Sequence, residues 1–178
     1  NEKTFWGTAL EPIIRAHYVE TAKATVYVPP TSLFHRDHAW LRATPDGIVL
    51  NPDKSWAHVG PQVKNVGYRQ APAWADDQVP NDYFIQGLVE MAVTELPRID
   101  FAVLIGGQEY RKVTIWRDAE LEADVVDSLV EFWKLVESDT QPAIDDSRKF
   151  KSYLLSQIKR KAQIEAASED ITKLERWR

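Results

Sequence analysis

Apolar residues recur at helical spacing near the start of the chain. Leu10, Ile13, Ile14, Tyr18 and Val19 fall on one face of residues 6–23, which predicts an amphipathic helix. The period then changes. ATVYVPP is a short strand stopped by two prolines, because proline donates no ladder hydrogen bond. AWLRAT and GIVL alternate as strands do, SWAHVGPQVKNV reads as the returning strand, and NPDK between the last two has turn chemistry. Residues 72–80 read as a loop, and residues 81–96 as a second helix with Asn81 or Asp82 as its N-cap. DFAVLIGG is almost continuously apolar, which suits a strand buried on both faces. YRKVTIW is its hairpin mate across GGQE. A long amphipathic helix follows, with Leu121, Val125, Leu129, Phe132 and Val136 as its buried stripe.

With AWLRAT and GIVL counted as one, the predicted order is helix, three strands, helix, strand, strand, helix, which makes one α/β domain over residues 1–147. Residues 148–178 read as a basic and polar helical tail, with Ile164, Ile171 and Leu174 in loose heptad spacing. Trp6 and Trp133 read as core from their helical neighbours.

Composition changes this picture little. The chain has 178 residues and enough apolar content for one buried core. No apolar run reaches the length of a membrane helix, and NEKTFWG at the start has no signal-like apolar region. The absence of cysteine excludes disulfides and thiolate metal sites and fits a reducing cytosol. A cytoplasmic protein with no membrane partner is the expectation. The net charge of −5 argues against a non-specific basic coat for nucleic acid. It leaves room for a local basic patch such as RKFKSYLLSQIKRK, which reads equally as a phosphate-tracking surface or a solvated helix face.

The chemistry concentrates in PDG and QVK. Strand alternation puts Gln62 and Lys64 on one face and Val63 on the other, and Asp46, at the start of the preceding strand, can approach the same point. Oxygen ligands suit Mg²⁺, a hard cation. A neighbouring lysine can orient or deprotonate a water and stabilise a pentavalent phosphorane. Taken alone, this spacing reads more readily as a surface hairpin with incidental charges.

Two further motifs shift the balance. The first helix carries WGTALEP, with Glu11 after the Trp-Gly pair, and the second carries YFIQ, with Tyr83 and Gln86 at i, i+3. In the order W-G-x-x-x-E, P-D-G, Q-V-K, Y-x-x-Q, residues 5–140 resemble the lambda-exonuclease or YqaJ-like viral recombinase family of PD-(D/E)XK nucleases. The resemblance implies a restriction-endonuclease-like αβββαβ core, a mixed central sheet flanked by helices. It also implies a phage-type 5′→3′ exonuclease acting on double-stranded DNA ends, with Mg²⁺ as cofactor and Mn²⁺ as substitute. Further implications are a homo-oligomer, a ring-shaped trimer in family members, and a single-strand annealing partner in recombination. The protein would then come from a phage or prophage in a bacterial host.

Carried over by position, Asp46 is the metal-binding aspartate, Gln62 stands at the glutamate of E-x-K, and the Val63 carbonyl is a further ligand. Lys64 is the catalytic lysine, Gln86 the helix glutamine, and Glu11 the first-helix acid serving metal or its waters. Arg69 and Tyr83 are assigned to DNA contact. Trp74 reads either as a stacking residue for a base or as packing.

Two features depart from the family. Gln62 is a neutral isostere of the expected glutamate. It marks either a form engineered to bind DNA without cutting it, slightly favoured because the exchange conserves shape, or a natural variant that is slow or borrows another acid. Family members also carry a DNA-gripping segment before the W-G helix, and nothing here matches it. Two other functional readings stay open: an endonuclease or nickase on the same fold, and a DNA-binding protein with a decayed nuclease site.

Overall fold

A computed structural model describes residues 1–142. Residues 1–131 form one compact unit, and a second begins at Phe132. The predicted tail over 148–178 lies outside the described residues.

The elements are α1 (Glu2–Ala22), β1 (Thr25–Tyr27), β2 (Leu33–Phe34), β3 (Arg42–Ala43), β4 (Ile48–Leu50), β5 (Trp56–Val66), a 3₁₀ helix (Tyr68–Trp74), α2 (Asn81–Thr94), β6 (Arg98–Ile105), β7 (Glu109–Trp116) and α3 (Ala119–Glu137). Five strands form one mixed sheet in the order β1-β4-β5-β6-β7. Every pairing is antiparallel except β5 with β6. That parallel pair needs a crossover, and the 3₁₀ helix and α2 supply it. A mixed α/β sheet flanked by helices is therefore the fold.

Alternation along β6 sorts the core into two layers. Ile99, Phe101, Val103 and Ile105 meet Leu88 and Met91 of α2, while Ala102 and Leu104 face Ile14 and Tyr18 of α1. This explains the nearly unbroken apolar run in this strand. On the α1 face the run is interrupted by Asp100, which is 1% exposed and fully engaged. Tyr18 Oη donates to its Oδ2 at 2.6 Å, His58 Nε2 to the same oxygen at 3.1 Å, and Thr114 Oγ1 to Oδ1 at 2.7 Å. The Arg98 guanidinium lies 3.7 Å away. Burial pushes the carboxyl upward, but the hydrogen bonds from His58, Tyr18 and Thr114 outweigh it and hold Asp100 well below the usual carboxylate range. The cluster ties α1 to β5, β6 and β7.

Several expectations are corrected. AWLRAT contributes only Arg42–Ala43, paired with β2 in a separate two-stranded sheet. Its Leu41 and Ala43 pack against Val93 of α2 instead of joining the main sheet. The predicted loop over 72–80 begins inside the 3₁₀ helix. Pro80, not Asn81 or Asp82, is the N-cap of α2, with no side-chain cap. Of the α3 stripe, Val125 and Leu129 reach the core, while Leu121, Phe132 and Val136 are exposed. Trp6 is exposed rather than core, and Ile13 likewise. Helical spacing marks a possible face but not how much of it another element covers.

Asp100→Asn is expected to lower stability by about 2–4 kcal/mol at neutral pH, since it leaves buried donors poorly matched. Because the folded-state carboxyl is depressed, that stability is present above the ordinary value of 3.8 and fades as pH falls below it. Urea unfolding of both proteins across this range checks the convergence.

Candidate active site

β4 stops where β5 goes on. The last ladder pair between them is Ile48 with Val59, and residues 62–66 of β5 pair with β6 alone. The Gly60 N–H still donates to the Gly47 carbonyl at 2.9 Å, and ahead of Gly47 the chain turns away. Gly47 must be small: an added Cβ would lie 2.6 Å from Val26 Cγ1 and 3.1 Å from the Gly60 carbonyl. At Gly60, φ is +141° and a Cβ would meet the Asp100 side chain. The glycine of PDG is thus a packing requirement that delivers Asp46 to the open edge of β5.

There Asp46 Oδ2 accepts the Val63 N–H at 2.8 Å. The N–H and C=O of one residue leave an extended strand by the same edge, so the Val63 carbonyl opens toward the Asp46 side. Gln62 Oε1 lies 3.5 Å from the Asp46 backbone nitrogen. From α1, Arg15 Nη1 donates to the Asp46 carbonyl, and its Nη2 pairs with Glu11 at 3.1 Å. Glu11 lies in the third turn of a helix that starts at Glu2, too far in for a helix-dipole role.

The other face of β5 meets α2. Lys64 Nζ donates to Gln86 Oε1 at 2.9 Å and lies 4.8 Å from the Tyr83 ring centre. Gln86 Nε2 in turn donates to Glu90 Oε1 at 2.8 Å. Strand period two and helix spacing i, i+3 and i+4 place these side chains on facing surfaces. The sequence reading did not single out Glu90. Its spacing from Gln86 was the available signal, but an acid four residues along a helix points to nothing until the helix face is known to be buried.

Burial pushes the Asp46 carboxyl up, and the nearby Glu11 charge adds to this; the Val63 amide, Lys64 and Arg15 pull the other way. Lys64 is pushed down by burial, against the attraction of Asp46 and Glu90. Burial raises Glu90 to about 8, and its Oε2 has no hydrogen-bond partner.

A hard divalent cation fits this donor chemistry. The Asp46 carboxylate, the Gln62 amide and the Val63 carbonyl are all oxygen donors, and burial, with Glu11 nearby, disfavours a charge on Asp46 that a cation would stabilise. The charge count is low. Among the described residues no three His, Cys, Asp or Glu side chains cluster as a metal site, and position 62 beside Asp46 is an amide.

Of the residues assigned to DNA contact, Tyr83 lies in the site and Arg69 is exposed on the 3₁₀ helix. Trp74 is 1% exposed, stacked on Tyr83 at 5.5 Å and edge-on to Phe101 at 5.9 Å. Its ring is packing and offers no face to a base.

Residues 1–97, more than half of the chain, match the family model described as the YqaJ-like viral recombinase domain. The chain belongs to this family. The chain is also 25% identical over 161 residues to the uncharacterized protein YqaJ of Bacillus subtilis (strain 168). That alignment takes in 86% of this chain and 48% of the relative, so the chain spans about half of that protein's length. Among solved structures it resembles an alkaline exonuclease, LHK-Exo from Laribacter hongkongensis, with a TM-score of 0.65 at 21% identity. The match covers 90% of this chain and 74% of that one. LHK-Exo in complex with dAMP gives 0.66 at 22% identity, over 78% and 70% of the two chains. These likenesses establish the fold of the YqaJ-like domain. Among its described residues no helix is long and apolar enough to cross a membrane.

The raised carboxyl of Glu90 works against folding. Stability that is full below the ordinary value of 4.5 is lost as pH climbs to about 8. Glu90→Gln should therefore raise the melting temperature, with a gain that grows between those limits and is absent below them. Thermal unfolding at pH 4, 7 and 9 measures it.

Proposed function

We propose that this YqaJ-like domain is a divalent-metal-dependent deoxyribonuclease, a 5′→3′ exonuclease on double-stranded DNA ends that serves recombination. The observation that carries the reading is the convergence of the Asp46 carboxylate, the open edge of Val63 and the Lys64–Gln86 pair where β4 leaves β5. Family membership and the exonuclease-like fold support it.

In this reading Asp46, the amide oxygen of Gln62 and the Val63 carbonyl hold Mg²⁺ or Mn²⁺, with Glu11 serving its waters. A bound ion supplies polarisation of a phosphoryl oxygen and acidification of water. Lys64, held by Gln86, orients the attacking water and stabilises charge gathering on the phosphate. Arg15 fixes the Asp46 backbone and the Glu11 carboxylate together. Arg69 contacts a backbone phosphate, and the Tyr83 ring faces the Lys64 ammonium. Assembly as a homo-oligomer, a trimer by family resemblance, and delivery of single strands to an annealing protein in a phage-bearing bacterium complete the proposal.

Gln62 favours a second reading, a DNA-binding protein whose hydrolytic site has lost one charge. Gln62→Glu separates the two. The restored protein with Mg²⁺ or Mn²⁺ is expected to degrade linear duplex DNA on the order of 100-fold faster than the unchanged chain, and to leave covalently closed circles intact. Binding without cleavage by the restored protein would make the second reading the correct one, and cleavage of the circle would make the enzyme an endonuclease.

Arg69→Ala is expected to weaken duplex binding uniformly across sequences and to reduce the slope of log affinity against log salt by about one. Binding isotherms at several salt concentrations test this, and full retention of affinity would remove Arg69 from the interface.

A further inference from the structure

Glu90 is a buried acid that the mechanism above does not use. It is 3% exposed, and its neighbours Leu88 and Met91 are core residues of α2. Apolar packing alone gives no reason for a carboxyl there, and burial makes its charged form costly. Its contact supplies a reason. The Gln86 amide can turn over about its terminal bond, and only one orientation puts an oxygen on Lys64, because an ammonium has donors and no acceptor. That orientation leaves the Gln86 Nε2 hydrogens pointing at Glu90, which accepts at 2.8 Å. The opposite orientation would set NH₂ against the Lys64 ammonium and forfeit that hydrogen bond. The groups surrounding Lys64 are Asp46 from the loop before β4, and Tyr83, Gln86 and Glu90 from α2.

We propose that Glu90 is a positioning residue for Lys64: by accepting from Gln86 Nε2 it holds the amide whose oxygen accepts from the ammonium. It also sets a carboxyl on the α2 side of a site whose position 62 holds only an amide. The catalytic consequence rests on the nuclease reading; the geometry does not.

Three variants test it: Glu90→Leu, which removes the acceptor, Glu90→Gln, which keeps one, and Gln86→Leu, which cuts the link. Two measurements need neither metal nor DNA. The Gln86 side-chain amide protons are followed by ¹⁵N NMR, and Lys64 acylation at one fixed pH is followed by mass spectrometry. In Glu90→Leu the Gln86 amide should exchange with solvent about tenfold faster, the loss of one buried hydrogen bond, and Lys64 should be acylated faster. Glu90→Gln should restore both, and Gln86→Leu should raise Lys64 acylation without adding to the effect of Glu90→Leu. In the Gln62→Glu background, Glu90→Leu should cut kcat by about 10- to 100-fold with little change in KM, the scale seen for outer-shell partners. An unchanged Gln86 signal and unchanged Lys64 acylation in folded Glu90→Leu would overturn the positioning role. If those two readouts move while Gln62→Glu never cleaves DNA, the nuclease reading fails and the positioning role stands.

Discussion

Past Gly60, β5 loses its neighbour on one side, and the Val63 amide is left in a partly buried place without a ladder partner. A buried N–H without an acceptor costs about 1–3 kcal/mol, and the Asp46 carboxylate removes that cost. One side chain thus closes a gap in the sheet and is also the carboxylate of the proposed site. Its place is set from three directions: Gly47 lets the turn approach Val26 and Gly60 closely, Arg15 holds the Asp46 carbonyl, and Val63 holds the carboxylate. Displacing any of them moves the sheet edge and the site together.

The two faces of the sheet treat buried carboxyls in opposite ways. On the α1 face, Asp100 receives three hydrogen bonds and lies near Arg98, so its charged form is favoured. On the α2 face, Glu90 accepts one hydrogen bond and keeps one oxygen unpartnered, so its charged form is disfavoured. Burial opposes ionisation in both cases; the number of donors decides the outcome. The first arrangement anchors α1. The second leaves one Glu90 oxygen unpartnered close to Lys64 and Asp46, a perturbed buried acid beside a lysine and a second carboxylate.

Gln62 bears on both. Its amide has the shape of a glutamate and puts an oxygen near Asp46, but it carries no charge where the described residues offer few. The strand, the turn and the lysine pairing all form around the amide, so the architecture tolerates the neutral residue. A neutral side chain at this position weakens the electrostatic field there, which is where the catalytic and the binding-only readings diverge.

Much of this was legible from residue order. Period two along QVK put Gln62 and Lys64 on one face with Val63 opposite, and that is how they stand, with Lys64 toward α2 and Val63 packed on the α1 side. The YFIQ spacing brought Tyr83 and Gln86 to Lys64 together. Local periodicity determines these relations, because they follow from strand and helix geometry alone. It does not determine which elements cover one another. The burial of Trp74, the exposure of Trp6, Leu121 and Phe132, and the removal of AWLRAT to a side sheet depend on neighbours distant in the chain. Glu90 belongs to the same class: only packing of α2 against the sheet turns an ordinary helical acid into a buried partner of Gln86. The chain by itself determined the faces and the spacing of its chemical groups, and tertiary structure decided which faces lost their water, because desolvation depends on the whole assembly of elements around a residue.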